Sequence, residues 1–174
     1  MKNRVMLGST VLCVGLFAIP AQAYHGGHSE QYFAVDVLFW EYDPEEASAV
    51  SDMGVRFRAG KLYNEFLGVE GHLATGGSDE EERSEGELDY LAGVYGKLAL
   101  PIDQKLHLYA LLGVSTLGGD FTPGDDNVSD LSGGFGAELG ITPNLAINAD
   151  YMRYADTSEA IFDSIGVGVV YHFR

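Results

Sequence analysis

Residues 166–174 read GVGVVYHFR, and this short stretch decides the fold. Side chains alternate between the two faces of an extended chain. One face therefore carries valines and aromatic residues, while the other carries two glycines and a histidine. Residues near a terminus are usually polar and poorly packed, so such a regular strand is expected to have a partner. The segment predicts a β-strand that closes a sheet.

The same period of two recurs in seven earlier stretches. Each of the eight is about 9–12 residues long, which is the length that crosses a bilayer at a tilt. The pattern predicts eight strands, over residues 32–42, 53–60, 66–75, 88–100, 105–116, 131–141, 144–152 and 165–173.

The connections between these strands alternate in length and charge. Those after the second, fourth and sixth strands are short (residues 61–65, 101–105 and 142–144). Those after the first, third, fifth and seventh are longer and acidic (residues 42–52, 76–87, 117–130 and 155–163). Short turns at one end and long loops at the other are typical of outer-membrane barrels. The expected fold is all-β: an eight-stranded antiparallel up-and-down transmembrane β-barrel.

The composition of the polar face indicates which side of the sheet meets water. In a soluble sheet the apolar face points inward and a charged face is solvated. Here the polar face consists largely of glycine, serine, tyrosine and histidine, with single charges. Small residues let a narrow barrel fill its own interior, so the apolar face is expected to contact lipid. A soluble, lipocalin-like carrier is the alternative, with the apolar face around a ligand.

The polar face also places charged residues inside the predicted barrel. Buried charges persist only when they are paired and hydrogen-bonded, so a network across the lumen is expected. We favour a plugged lumen over an ion path, because side chains fill a barrel of eight strands. His107 and His172 lie beside the predicted network, which comprises Asp36, Arg56, Arg58, Glu70, His72, Lys97, Glu138 and Asp150.

Aromatic residues near the predicted strand ends suggest girdles at the two membrane interfaces. The candidates are Tyr32, Phe33, Phe39, Trp40, Tyr90, Tyr151, Tyr154, Tyr171 and Phe173.

The first 23 residues have the layout of a cleaved secretory signal peptide. A basic start precedes an apolar stretch and the small-residue site AQA at 21–23. The barrel domain is then expected to span residues 24–174. Cys13, the single cysteine, lies within the leader, so the barrel has no disulfide or thiolate metal site. A formal net charge of −16 argues against nucleic-acid binding, which needs Lys and Arg.

Taken together, these features resemble the small outer-membrane β-barrel family of OmpA-like, porin-family proteins. The resemblance implies a location in the outer membrane of a Gram-negative bacterium. It also implies a C-terminal signal read by the outer-membrane assembly machinery, onto which Gly168, Tyr171 and Phe173 map by their spacing. Gly166, where a polar residue is common, and the overhanging Arg174 depart from that signal.

Catalytic groups are sparse. A nucleophile needs a base within hydrogen-bond reach, and the one candidate set is Glu70 and His72 with Ser115 opposite. Residues inside a filled barrel offer no access to substrate, so no enzyme activity is expected. His25 and His28 have a metal-like spacing, but we expect neither a bound metal nor a cofactor.

The acidic loops are the better candidates for binding, because functional residues concentrate on loops. Carboxylate oxygens suit hard divalent cations, which could bridge to lipopolysaccharide phosphates. The candidate residues are Asp79, Glu80, Glu81, Glu82, Asp125 and Asp126. The expected function is non-enzymatic, with a structural or surface-interaction role in contact with outer-membrane lipid and lipopolysaccharide. The alternatives are a narrow ion-conducting pore and an envelope lipid-modifying enzyme.

Overall fold

A computed structural model describes residues 29–44, 50–76, 88–119, 127–156 and 160–173. These residues form eight antiparallel strands, and each pairs with its neighbours in the sequence. Within the described ranges, no helix is long and apolar enough to cross a membrane. The strands are β1 (Glu30–Pro44), β2 (Val50–Leu62), β3 (Leu67–Gly76), β4 (Leu88–Pro101), β5 (Leu106–Gly119), β6 (Asn127–Gly140), β7 (Leu145–Asp156) and β8 (Ala160–Phe173).

The last strand closes the sheet on the first. β8 pairs antiparallel with β1, from Gln31 opposite Phe173 to Pro44 opposite Ala160. A closed sheet has no free edge that could pair with another chain. The GVGVVYHF segment is therefore part of this seam, and the prediction of an eight-stranded up-and-down barrel is confirmed.

The strands extend further toward the long-loop end than the composition indicates. Residues 155–163 are predicted as a loop, yet β7 runs to Asp156 and β8 starts at Ala160. Pairing continues there because Ile161 lies opposite both Asp43 of β1 and Asp156 of β7. The backbone hydrogen bonds of the ladder outweigh the polar composition of the segment.

The three short turns share one local device. In each turn a side-chain oxygen accepts backbone N–H groups, a common way to fix a tight turn. The residues are Asn64, Asp103 and Thr142. Asp103 Oδ1 accepts from the N–H of Lys105 at 2.7 Å and of Leu106 at 2.8 Å. These two hydrogen bonds hold the pKa of the exposed Asp103 carboxyl below its ordinary value.

The two faces of the sheet are inverted relative to a soluble barrel. Outward-facing apolar side chains stay exposed, and Val94, Leu112 and Phe135 are 63, 65 and 65% accessible. Ionisable side chains such as Arg56 and Glu70 are instead buried inside. The predicted lipid-facing apolar surface is confirmed. A soluble carrier would show the opposite arrangement, with its apolar face around a cavity.

Some of the predicted girdle aromatics lie elsewhere. Tyr32, Trp40 and Tyr154 are buried in the interior, so placing them in a girdle is wrong. Their positions share the inward parity of the strands that carry them, and parity decides the face regardless of distance from the strand end. Five of the others are exposed on the outer surface: Phe33, Phe39, Tyr90, Tyr171 and Phe173.

Candidate functional site

The centre of the barrel interior holds an ion-pair network built on β2. Arg56 and Arg58 are both inward-facing, two residues apart on that strand. Asp36 of β1 accepts from both, with its Oδ2 2.9 Å from Arg56 Nε and 2.7 Å from Arg58 Nε. All three side chains are at most 1% exposed. One carboxylate thus holds two guanidinium groups in place.

A second carboxylate reaches Arg56 from the other side of the lumen. Asp150 lies on β7, which is not a neighbour of β2 in the barrel. Arg56 Nη2 donates to Asp150 Oδ1 at 2.8 Å and to Oδ2 at 2.6 Å. Arg56 Nη1 donates to the hydroxyl of Tyr154 at 2.9 Å. Such charge-assisted bonds are the strongest type of hydrogen bond in proteins, and here they span the interior.

Glu70 of β3 forms ion pairs with Arg58 and Lys97. Arg58 Nη1 donates to Glu70 Oε1 at 3.1 Å, and Lys97 Nζ donates to Oε2 at 3.0 Å. His72 Nε2 lies 2.7 Å from Oε1, and Tyr32 donates its hydroxyl to Oε2. The network therefore balances three carboxylates with three permanent cations, which satisfies the requirement for burying charge.

Glycine on β8 makes room for this network. A Cβ added at Gly166 would overlap the Arg56 guanidinium and the Asp150 carboxylate. A Cβ at Gly168 would overlap Asp36 and the carbonyl of Val35. The alternating glycines of the GVGVV segment therefore leave space for the Arg56–Asp150 pair at Gly166 and for Asp36 and the adjacent β1 backbone at Gly168.

An apolar layer covers the network on the long-loop side. The rings of Trp40 and Phe162 stack there with centroids 5.4 Å apart. Both are only 2% exposed. The two rings belong to one connected cluster of buried side chains, which also includes Tyr109 and Tyr154 of the network: Leu38, Trp40, Ala74, Leu91, Tyr95, Tyr109, Leu111, Leu117, Met152, Tyr154, Ala155 and Phe162.

Glu138 lies outside the central network, although the sequence predicts it to be a member. It lies nearer the short-turn end, where its Oε1 is 2.6 Å from His172 Nε2. His172 Nδ1 lies 3.2 Å from Glu30 Oε1. His107, directly opposite Glu138 on β5, is partly exposed. The structure thus joins seven of the eight predicted residues centrally and places Glu138 in a second group at the barrel mouth.

The sequence matches the family described as outer membrane protein beta-barrel domain over residues 9–173. The chain belongs to this family. No curated protein matches it. The family assignment and the inverted faces of the sheet together identify the protein as an outer-membrane β-barrel.

Three solved structures with the same fold are less than 20% identical to this outer-membrane barrel. Ail of Yersinia pestis, in complex with the heparin analogue sucrose octasulfate, is 18% identical with a TM-score of 0.62. That match covers 83% of this chain and 99% of Ail. Neisserial surface protein A (NspA) is 16% identical, with a TM-score of 0.53 and coverage of 82% and 97%. The N-terminal barrel domain of Pseudomonas aeruginosa OprF is 11% identical, with a TM-score of 0.54 and coverage of 80% and 97%. These similarities show the fold.

Three tyrosine hydroxyls belong to the interior network of this outer-membrane barrel, although the network predicted from the sequence does not contain them. Tyr32 and Tyr154 contact it as described, and Tyr109 donates to Asp150 Oδ2 at 3.1 Å. A signal for them was present, since each has the inward parity of its strand. Tyr154, for example, is four residues from Asp150 on β7.

The candidate catalytic set does not assemble in the barrel. Ser115 donates its hydroxyl to the backbone carbonyl of Tyr154 at 2.7 Å. The side chains of Glu70 and His72 pair with each other and are fully buried. Among the described residues, no three His, Cys, Asp or Glu side chains form a group that could hold a metal ion. His25 and His28 lie outside those residues.

The residues of the predicted assembly signal occupy the end of β8. Tyr171 and Phe173 face outward and are 48 and 56% exposed, with ring centroids 5.1 Å apart. Gly168 faces the interior, where it contacts Asp36. Arg174 lies outside the described residues. Recognition by the assembly machinery stays a prediction.

The loop carboxylates with predicted binding roles also lie outside the described residues. They are Asp79, Glu80, Glu81, Glu82, Asp125 and Asp126. The neighbouring strand ends, however, are described and are acidic. We call this end of the barrel the long-loop rim. Its exposed carboxylates belong to Glu41, Asp43, Asp52, Asp89 and Asp156.

Proposed function

We propose that this outer-membrane barrel is non-enzymatic and non-conducting, and that it has a structural or surface-interaction role. The observation that carries the proposal is the fully buried ion-pair network that spans the lumen. Arg56 links β2 to β7 through Asp150, and Lys97 links β4 to β1 through the hydroxyl of Tyr32. Each link joins strands that are not neighbours in the barrel.

A conducting path would have to open this network. Removing one partner of a buried ion pair leaves an uncompensated charge and costs about 3–5 kcal/mol. An ion that passes the centre would also have to cross the apolar layer, where Trp40 stacks on Phe162. Both layers support a plugged lumen over the narrow-pore alternative.

The geometry also argues against the alternative of a lipid-modifying enzyme. Nucleophilic catalysis needs a serine within hydrogen-bond reach of its base and a route for substrate. Ser115 is bonded to a backbone carbonyl instead, and the Glu70–His72 pair is sealed inside the barrel.

The long-loop rim is the surface through which this role is exercised. Its exposed carboxylates, for example Glu41 and Asp89, continue the acidic sequence of the loops. Divalent cations take carboxylate and phosphate oxygens together. Ca²⁺ or Mg²⁺ would therefore bridge the rim to lipopolysaccharide phosphates. In that case millimolar Ca²⁺ raises the thermal midpoint of the barrel in lipopolysaccharide-containing bilayers, and an unchanged midpoint contradicts the bridge.

Planar-bilayer recording tests directly whether the lumen is closed to ions. The expected result for the folded protein is no unitary conductance at neutral pH. The double variant Arg56→Ala/Trp40→Ala removes a side chain from the ion-pair network and one from the apolar layer, so it serves as the positive comparison, while Glu41→Gln at the rim is the control. A steady wild-type conductance whose ion selectivity changes in Glu70→Gln would contradict the proposal and favour the pore.

The proposal includes export through a cleaved leader to the outer membrane of a Gram-negative cell. Amino-terminal sequencing of the protein from outer membranes should start at Tyr24. An intact Met1 in that fraction would contradict cleavage at this site.

A further inference from the structure

A cavity of about 440 Å³ opens at the short-turn end of the barrel. Residues of the turns, such as Gln104 and Thr142, form its rim, and Lys97 and Tyr109 of the central network line its inner part. Short turns face the periplasm in outer-membrane barrels. The cavity is large enough for a small molecule, since ligand sites generally measure about 300–1,000 Å³.

The ionisable side chains of the cavity come from different sides of the barrel. Lys97 lies on β4, whereas Glu138 lies on β6 and Glu30 on β1. The lining therefore presents an ammonium group and carboxylates around one space. The charged and imidazole side chains that line the cavity are Glu30, Glu65, Lys97, Lys105, His107, Glu138 and His172.

Two of these groups have unused hydrogen-bonding capacity. Lys97 Nζ donates to Tyr32 and to Glu70, each at 3.0 Å. An ammonium carries three N–H groups, and among the described residues the third has no oxygen partner. Nζ lies over the Tyr109 ring, 4.3 Å from its centroid. His172 Nδ1 is buried without a hydrogen bond in the described part of the chain, although Glu30 Oε1 is 3.2 Å away. An unpaired buried polar atom is costly and calls for a partner.

Glu138 supplies the complementary acceptor. It is 7% exposed, and its one hydrogen bond among the described residues joins Oε1 to His172. Oε2 is left for another donor. Between the charged groups the wall is apolar, formed by side chains such as Leu62, Leu145 and Ala146.

We propose that this cavity binds a small zwitterion, with a primary ammonium and an anionic oxygen group separated by a few methylenes. The ammonium donates to Glu138 Oε2 and to His172 Nδ1, which accepts because Nε2 already donates to the Glu138 carboxylate, and the anionic group accepts from Lys97 Nζ. The methylenes contact the apolar wall. A molecule with a single charge would bind either Glu138 or Lys97 but not both, so the combination of the two charges determines specificity. The inference goes beyond the proposed function, because a binding site at this mouth is independent of whether the lumen conducts.

Calorimetric titration of the folded, detergent-solubilised barrel tests the proposal. The probes are glycine, 3-aminopropanoate, 4-aminobutanoate and glycerophosphoethanolamine, and the single-charge controls are butylamine and butanoate. At least one zwitterion is expected to bind saturably, about tenfold or more tighter than either control. Preference for glycerophosphoethanolamine would identify a lipid headgroup as the source, and preference for an aminoalkanoate would identify a free solute. Equal binding of the controls, or no saturable binding by any probe, would overturn the proposal.

Two variants connect the binding to this cavity. Glu138→Gln should weaken the best probe about tenfold or more, because it replaces the anionic acceptor with an amide. Lys61→Gln, on β2 and outside the lining of the cavity, also removes one charge and should leave affinity unchanged. Heat-modifiable mobility on SDS gels checks that each variant is folded. In the wild type, the imidazole resonances of His172 should shift on binding, and unshifted resonances at saturation would contradict the site even if Glu138→Gln does not fold.

Discussion

Arg56 and Asp150 are bonded across the interior of the barrel, with Arg56 Nη2 2.8 Å from Oδ1 and 2.6 Å from Oδ2. The two residues are 94 positions apart in the sequence and lie on strands that do not pair. Every backbone ladder in the barrel joins neighbouring strands, so a cross-lumen bond adds a constraint that the ladders cannot supply. It fixes how the two sides of the barrel face each other.

Removing one partner of this pair should destabilise the barrel strongly. Arg56→Met removes the closest cation of the buried Asp150 carboxylate, which among the described residues keeps only Arg58 Nη1 at 3.7 Å, and leaves three carboxylates with two permanent cations. We expect a loss of about 3–5 kcal/mol in the free energy of unfolding. Urea titration of the protein in lipid vesicles measures the change. The double variant Arg56→Met/Asp150→Leu should recover much of the loss, because Asp36 retains Arg58. Additive losses in the double variant would show that the pair is not coupled.

The glycines of β8 give a second prediction. Gly168→Ala places a methyl group against the backbone carbonyl of Val35 and the side chain of Asp36, so the seam between β1 and β8 must shift. Overpacking of this kind costs about 1–3 kcal/mol. Gly71→Ala is the matched control, because a Cβ there makes only ordinary contacts on the outer face. Equal urea midpoints for the two variants would contradict the steric argument.

The interior residues were predictable from the sequence because the period of two leaves no freedom in which face a residue occupies. Once Val35 and Val37 are assigned to the lipid side, Asp36 must face inward. The pairing of the charges was not predictable. Which strands face each other across the lumen depends on the stagger of the whole barrel, so Arg56 could not be matched to Asp150 from spacing alone.

The errors at the strand ends have a related origin. Trp40 was placed in an interfacial girdle, but it lies four residues after Asp36 on β1, so it shares the inward parity of Asp36 and is buried. The polar segment before Ile165 was interpreted as loop, whereas pairing with β1 carries the strand back to Ala160. The composition of a segment indicates how much of it is exposed to solvent, but the hydrogen bonds between neighbouring strands decide where each strand ends.

Turn chemistry predicts a specific dependence on pH. The N–H groups of Lys105 and Leu106 stabilise the ionised Asp103 carboxyl and lower its pKa. A depressed pKa in the folded state contributes stability above the unfolded value of about 4, and this contribution is lost as the pH falls through the folded value. Asp103→Asn keeps an acceptor oxygen but does not titrate.

The difference in urea midpoint between wild type and Asp103→Asn should therefore be constant from pH 7 to about pH 5 and should shrink below about pH 4. Comparing the two proteins at each pH removes the contribution of the other carboxylates. A difference that stays constant down to about pH 2.5 would show that these hydrogen bonds do not favour the ionised form.

The outward face should respond to charge according to depth in the bilayer. Leu112 lies in the middle of β5 and is 65% exposed on that face, whereas Thr116 lies on the same face near the long-loop end, where its hydroxyl is 2.9 Å from that of Ser129. Arginine on the lipid-facing side costs about 2–4 kcal/mol at the midplane and about 0–1 kcal/mol near an interface.

Leu112→Arg should accordingly lower the free energy of unfolding in vesicles by about 2–4 kcal/mol, and Thr116→Arg by about 1 kcal/mol or less. The same pair should differ little in detergent micelles, which adapt their shape around an added charge. If both variants lose the same free energy in vesicles, Leu112 and Thr116 do not lie at different depths in the bilayer. That result would contradict the assignment of this outer face to the hydrocarbon core of the membrane.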